Sequence, residues 1–466
     1  MKYAIALAAF SWLFLASCED EKPRAVSSKS DDPKSIKNFV ASSSITPVLP
    51  STPEEFKLRG SHARLLRTAQ GTRIHVPSNA FVNKGTGDPI EGDVILIFNE
   101  YHSQGDILGS GIPMRYVTLN GDTAHFESGG LFEVRAFQEG IELELAVDKE
   151  IEVELATEIN GAFDFYAFNE SQESWGLKDT TCVPIPNPYI PKQIIELEKL
   201  DKEMPETPKT LIEHKIGDPL FDVKRYGTDE EELESLDGVF WKFTGDSTQI
   251  DPSQNNVAFN KKYDFVELAA VDSSEVREYT ITFRNATEEI VVRAAPIFQG
   301  KLLARENDRM ARISSQIDYA SKAKAQIEEE LDKEKSLMRM IKINKMGIHN
   351  YGRQLQMDEA IPFLADFTFE SEELNQALTV YMLPVEKNAV IRYTPTTFDQ
   401  FKIVPSESNH FVVILPNRMV YALSSDDVKR MRISRKKAGS ELVFDLKKYE
   451  ALIQGPSDVD TLLAHF

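Results

Sequence analysis

Cysteine is nearly absent from this chain. Two occur in 466 residues, Cys18 and Cys182, which rules out a disulfide framework or a cysteine-rich zinc module as the basis of the fold. Positive charge is also scarce. Lys and Arg number 53 against 74 Asp and Glu, a formal charge of −21, and this excludes a nucleic-acid binder or a protein drawn to anionic lipid by its net field. No His-Glu-x-x-His, Gly-x-Ser-x-Gly, phosphate-binding Gly-rich loop or EF-hand pattern occurs, so no local motif announces a catalytic centre. After residue 17 no apolar run is long enough for a membrane-spanning helix. Cys182 sits in Thr-Thr-Cys-Val-Pro, with no base or cation beside it to activate the thiol, and reads as a half-buried structural residue.

What is present begins at the N-terminus. Lys2 precedes an apolar run over residues 4–16, broken once by Ser11, and Leu15-Ala16-Ser17-Cys18 follows. A basic start, a short apolar core and small residues at the exit mark residues 1–17 as a secretory signal peptide. The final four residues resemble the lipobox of bacterial lipoproteins. The resemblance implies cleavage before Cys18 and a covalent lipid on its thiol, with no other cofactor. It places the protein in the cell envelope, with the outer membrane as its partner through the lipid anchor and envelope proteins as further candidate partners. Glu19-Asp20-Glu21 resembles the surface-export signal of Bacteroidota-type lipoproteins; a periplasm-facing lipoprotein and a simple solvated tether are the alternatives. Residues 18–52, rich in Ser, Lys, Asp and Pro, read as the lipidated cysteine and a disordered stalk with an end-to-end distance of about 30 Å.

Residues 53–184 carry strand signals throughout. Glu142, Glu144, Glu150, Glu152 and Glu154 alternate with Ile141, Leu143, Leu145, Ile151, Val153 and Leu155, which predicts a solvent face of carboxylates over an apolar core. Asn120-Gly121 and Gln138-Glu139-Gly140 mark hairpins. Many short strands at this spacing predict an antiparallel sandwich. The run Gly71-Thr72-Arg73-Ile74-His75-Val76-Pro77-Ser78-Asn79-Ala80-Phe81, with Gly129-Gly130 before a later strand, resembles the ZU5 type of β-sandwich. That resemblance implies scaffolding or interaction and brings no catalytic residue. The whole chain also resembles multidomain bacterial lipoproteins, a likeness that implies no activity.

Residues 185–217 open on Pro-Ile-Pro-Asn-Pro and read as a Pro-rich linker, with a short helix near 194–202. Residues 218–298 form a second β domain, entered through a capping box at Thr228-Asp229-Glu230-Glu231. Residues 299–337 contain one long helix. Met310, Ile313, Ile317, Ala320, Ile327 and Leu331 make a heptad-like seam expected to pack within the chain, with pairing to a second chain as the alternative. Residues 338–466 are expected to form a third β domain with short C-terminal helices. Lys429, Arg430, Arg432, Arg435, Lys436 and Lys437 form its dense basic patch. Trp175 and Trp241 read as core anchors.

The fold class is therefore mainly β: consecutive antiparallel β-sandwich-like domains with one long α-helix between the second and third. The best local constellation is Glu100, His102 and Asp106, where a strand puts the first two on one face and a turn can return the third. This trio is a weak candidate for a divalent cation, and a polar edge-strand face is the favoured reading. No catalytic residue, metal site or partner-binding surface is assigned. The function expected is non-enzymatic binding or scaffolding at the outer membrane. The alternatives are a surface hydrolase acting on glycans or peptides and a dedicated subunit of an envelope complex.

Overall fold

A computed structural model of the chain describes residues 45–118, 121–223, 236, 238–254, 263–369 and 378–466. Cys18, the stalk as far as residue 44, Asn120 of the expected hairpin turn and the capping box at Thr228 lie outside the described residues. The fold is mainly β, with several antiparallel sheets and one long helix in mid-chain. Two compact units are present: the described residues through Ile190 together with Lys333–Phe466, and Pro191–Asp332.

The first unit is built on a sandwich. Its larger sheet has nine strands, ordered Glu54–Arg59, Asp93–Tyr101, Thr123–Gln138, Gly347–Gln354, Phe163–Asn169 and Ser174–Cys182, with Phe81–Asn83, Arg115–Val117 and Ile141–Leu145 branching from it. The facing sheet runs Ile185–Pro186, Leu337–Ile343, Ile151–Thr157, Arg73–Val76 and Arg64–Arg67. Alternate residues of both sheets, among them Phe56, Leu96, Phe98, Phe132, Val153 and Leu155, fill the space between them. The expected alternation holds at Leu143, Leu145, Ile151, Val153 and Leu155, all buried, but Ile141 is 58 % exposed. Glu154, expected in solvent, is buried, and its Oε2 accepts the Tyr189 hydroxyl at 2.9 Å.

Leu337–Ile343 and Gly347–Gln354 fall in the expected third β domain, yet they complete the sandwich. Met338 pairs with Ala156 in one sheet and Ile348 with Glu133 in the other. Alternation identifies a strand but not its partner, and these partners lie on the far side of an inserted segment. The expected stalk also ends early. Leu49 is fully buried, and the Val48 and Leu49 amides donate to the Gly109 carbonyl at 2.9 and 3.0 Å.

The glycine pair singled out in the sequence makes a β-bulge. Tyr351 opposes Gly130 and Gly352 opposes Ser128, leaving Gly129 as the extra residue. The bulge shifts the side-chain phase, so Phe126 and Leu131 share one face while Phe132 faces the sandwich core. A Cβ on Gly129 would lie 2.8 Å from the Phe163 ring, and Gly130 has φ of +148°.

Helix α1, Gln104–Ser110, follows the strand Asp93–Tyr101. Ser103 caps it, and Asp106 returns the bond to the Ser103 amide in a capping box.

The second unit holds a five-stranded antiparallel sheet ordered Phe221–Asp222, Phe240–Phe243, Glu289–Ile297, Tyr279–Arg284 and Phe265–Ala270. Trp241 is buried edge-on to Tyr279. Helix α2, Tyr189–Glu203, starts five residues earlier than expected and takes up nearly half of the expected linker, with Pro191 tolerated in its first turn. Helix α3, Gly300–Leu331, begins beside this core at Leu302. Its buried Glu306 accepts Arg277 at 2.5 Å and Arg309 at 2.8 Å. Farther along, Lys324 donates to Asp201 of α2 at 2.6 Å. Of the expected seam, Ala320 is buried, and Ile313, Ile317 and Ile327 are half-buried.

The C-terminal part of the first unit is one six-stranded sheet: Leu364–Phe369, Glu441–Tyr449, Val420–Leu423, Asn409–Ile414, Val380–Pro384 and Ile391–Tyr393. Its first two strands pair in parallel, an exception among the antiparallel ladders. Its central strands are buried on both faces, while Leu364–Phe369 and Glu441–Tyr449 turn one face to solvent. Val380, Met382, Phe411 and Val413 enter a core of their own with Phe401 and Phe444. Tyr381, Leu383, Val412 and Val420 face the outer side of the nine-stranded sheet and share a core with Phe126, Leu131, Ile348 and α1. The unit thus stacks three sheets. The third β region shares a core with the sandwich, and Gln104 fixes the join by donating to the carbonyls of Pro384, Lys387 and Ala389 at 2.8, 2.9 and 3.0 Å. Helix α4, Ser425–Arg430, packs Val428 into the core with Phe401 and Phe444, and helix α5, Pro456–Ala464, packs Val459 and Leu462 into the core shared with α1. Within the basic patch, Lys429 and Arg430 pair with Asp426 and Asp427 of the same helix.

Candidate functional site

A cavity of about 310 Å³ lies where the sandwich meets the six-stranded sheet. Four short pieces of structure build it. Helix α1 contributes Ile107 and Leu108, and the left-handed Gly111 (φ +70°) ends the helix so that Ile112, Pro113 and Met114 turn along the wall. The strand Arg115–Val117 pairs with Thr123–Gln138, which sets Arg115 directly opposite His125. In the third sheet, Tyr381 stands opposite Arg392. The turn after that strand adds Thr394, Thr396 and Thr397, whose hydroxyls lie 2.9 and 3.3 Å from one another through Thr394. Glu173 is the one carboxylate of the lining.

The floor is apolar and the mouth is polar, a division common to small-molecule sites. Burial, reinforced by the Arg115 charge, pushes the His125 imidazole down to about 4, so it is neutral near pH 7. Several arginines of this unit have carboxylates, Arg73 on Glu334, Arg135 on Glu133 and Arg353 on Glu127, while others such as Arg339 and Arg418 are held by backbone carbonyls. Among the described residues, Arg115 and Arg392 have no carboxylate, and both are exposed at the cavity. No spacing in the sequence pointed to this set. Arg115 and His125 come together with Tyr381 and Arg392 only after the third sheet docks, and no local pattern encodes that step.

The sequence-derived trio lies elsewhere. His102 Nε2 is 2.6 Å from Glu100 Oε2, and the same oxygen accepts the Thr72 hydroxyl at 2.8 Å. Thr72 Oγ1 in turn accepts the Ala156 amide at 2.9 Å, so Glu100 ties one sheet of the sandwich to the other. Burial alone would lower the His102 imidazole; the hydrogen bond and charge of Glu100 outweigh it and hold it above its ordinary value. Asp106 is occupied with the helix cap, accepting the His102 and Ser103 amides at 3.0 and 3.1 Å. Its carboxylate therefore does not join the other two. Among the described residues, no group of three or more His, Cys, Asp or Glu is arranged to hold a metal ion. Cys182 is half-buried, and burial raises its thiol.

A second, more open groove of about 830 Å³ crosses the outer face of the five-stranded sheet. Arg64, His75, Lys149, Glu150, Glu152 and Lys342 line it, with charges of both signs interleaved.

One buried histidine bears on stability. His349 lies between the Phe132 and Phe165 rings, at centroid distances of 5.2 and 5.5 Å. Its Nδ1 has no hydrogen-bond partner, and burial pushes the imidazole down to about 4. A histidine held below its unfolded value of 6.5 leaves stability intact above that pH and removes it as the pH falls from 6.5 toward 4. The loss attributable to His349 reaches about 3 kcal/mol at the acid end. Chemical denaturation at pH 7.5 and pH 4.5 should therefore differ less in His349→Phe than in the parent. An unchanged pH dependence in the variant would place the acid sensitivity elsewhere.

Comparison with protein-family models, with curated proteins and with solved structures finds no match to this chain.

Proposed function

We propose that this protein is a lipid-anchored component of the bacterial cell envelope, held at the outer membrane through Cys18, and that it acts by binding and not by catalysis. The ZU5-like reading of its sandwich belongs to the same proposal. The observation that carries the binding role is the cavity between the sandwich and the six-stranded sheet, with an apolar floor and two arginines that lack carboxylate partners. The titratable cluster at Glu100 and His102 is committed to joining sheets and capping a helix, which favours a structural role for it. The anchor reading rests on the sequence at Leu15-Ala16-Ser17-Cys18. An anchor with two or more acyl chains holds a protein stably to a bilayer, so the folded part needs no membrane segment of its own.

Two measurements test the proposal. Cys18→Ala is expected to abolish acyl labelling and to move the protein out of the membrane fraction or stall its processing; unchanged labelling and fractionation overturn the anchor. For binding, the protein extracted from its own envelopes is expected to carry an additional small-molecule mass in native mass spectrometry. Thr396→Trp, placed at the exposed rim of the cavity, is expected to lose that mass. A parent without bound mass, or a variant that retains it, overturns the cavity as the recognition element.

A further inference from the structure

We infer that the cavity takes a small amphipathic carboxylate: a molecule with a compact apolar body and one anionic end. This rests on the binding role proposed above and adds to it the chemistry of the ligand. Three observations select that class. The floor formed by Ile107, Leu108, Ile112, Met114 and Val390 offers an apolar body nothing to hydrogen-bond with, and so favours hydrocarbon. The mouth carries Arg115 and Arg392, whose planar guanidinium forks match a carboxylate in charge and shape. The ladders fix the backbone of both, each directly across a strand pair from a lining residue, Arg115 from His125 and Arg392 from Tyr381.

The third observation is electrostatic. The chain has 21 more acidic than basic side chains, and several arginines of this unit are matched to carboxylates. Two guanidiniums without carboxylate partners among the described residues, at one small cavity, leave a local positive field in a negative molecule. Glu173 offsets one of the two charges, His125 is neutral near pH 7 and adds none, and the lining stays net positive. His125 and the threonine hydroxyls add neutral hydrogen-bonding groups that orient the anionic end without repelling it. A cation meets two arginines here, and a fully polar anion such as phosphate leaves the apolar floor wet.

The test uses the chain from Glu19 onward, which contains every described element. Isothermal titration is run with octanoate, n-octylammonium, 1-octanol and inorganic phosphate, and with N-acetylphenylalanine to stand for a peptide C-terminus. One saturable site for octanoate or N-acetylphenylalanine is expected, with n-octylammonium, 1-octanol and phosphate each at least about tenfold weaker. Whichever carboxylate binds more tightly identifies the source. Arg115→Gln and Arg392→Gln are each expected to weaken carboxylate binding about tenfold, and the double variant to lose the preference for the anion over the alcohol. Equal affinity for octanoate, n-octylammonium and 1-octanol overturns the carboxylate while leaving an apolar binding cavity. Carboxylate binding that survives Thr396→Trp, or no saturable binding by either carboxylate, also overturns the inference. The probe series on the parent decides the matter even where a variant fails to fold. Bound mass in the native spectrum without carboxylate preference separates failure of this inference from failure of the binding role.

Discussion

Arg339→Ala is expected to cost the first unit about 4 kcal/mol or more, enough to leave a marginal domain unfolded. Arg339 is 1 % exposed, in the middle of the strand Leu337–Ile343. Its guanidinium has no carboxylate. It donates to four backbone carbonyls: Gly129 at 3.2 Å, Cys182 at 2.8 Å, Ile159 at 2.9 Å and Gly161 at 3.1 Å. Its guanidinium carbon lies 4.6 Å from the Phe163 ring centroid and 5.4 Å from that of Tyr351. One side chain thus gathers the bulge at Gly129, the turn after Ile151–Thr157 and the end of Ser174–Cys182. Alanine would strand four acceptors, the Gly129 carbonyl fully buried and the other three half-buried, and leave a void the size of the lost side chain. Lysine is not a rescue, because a single ammonium cannot reach four carbonyls set around a planar fork. Urea denaturation should place both variants far below the parent, with alanine the lower. A melting temperature within about 2 °C of the parent for Arg339→Ala would mean that the carbonyls find water and that the arginine is not a keystone.

Arg339 also marks where sequence reading reached its limit. The alternation at Leu143, Leu145, Val153 and Leu155 was legible because each strand shows its own face in its own residues. The turn at Glu139-Gly140 was legible for the same reason: both residues have positive φ, and two-residue turns of that hand favour such a pair. The long helix over 300–331 announced itself by lacking Gly and Pro after its first residue. What could not be read was partnership. Nothing within Leu337–Gln354 says that its two strands belong to two different sheets, each closing a sandwich begun some 200 residues earlier. Glu154 looks like any outward carboxylate until Tyr189 returns to bond it. The cavity is hidden for the same reason. Its arginines lie on short strands from opposite ends of the unit, each an ordinary exposed residue in its own segment.

Glu334→Ala is expected to destabilise the first unit by about 3–5 kcal/mol, because it takes from the buried Arg73 guanidinium and the half-buried Arg67 the carboxylate they share. The Glu334 carboxylate is fully buried. It accepts Arg67 at 2.9 Å, Arg73 at 2.5 Å and the Asn187 side-chain amide at 2.6 Å. Arg73 is capped in turn by the Tyr189 ring, 3.5 Å from the guanidinium carbon. These residues surround the two places where the chain leaves and re-enters the first unit. There Ile185 pairs with Met338, and the Asn187 amide donates to the Ser336 carbonyl at 2.9 Å. The carboxylate therefore locks the edge of the five-stranded sheet at the root of the insertion. The damage should be local before it is global. Hydrogen exchange at Asn187 and Met338 should accelerate in Glu334→Ala well beyond the change at Phe444 in the distant six-stranded sheet. Glu334→Gln keeps one acceptor oxygen and points a donor at a cation, so it should fall between parent and alanine. The decisive comparison is the triple replacement Arg67→Met, Arg73→Met and Glu334→Leu. If the cost of Glu334→Ala comes from stranded charge, removing both partners recovers most of the loss, as replacement of buried ion clusters by apolar groups often does. If the triple variant is as unstable as the single one, the energy lies in the hydrogen bonds to Asn187 and the surrounding backbone, and the arginines are bystanders.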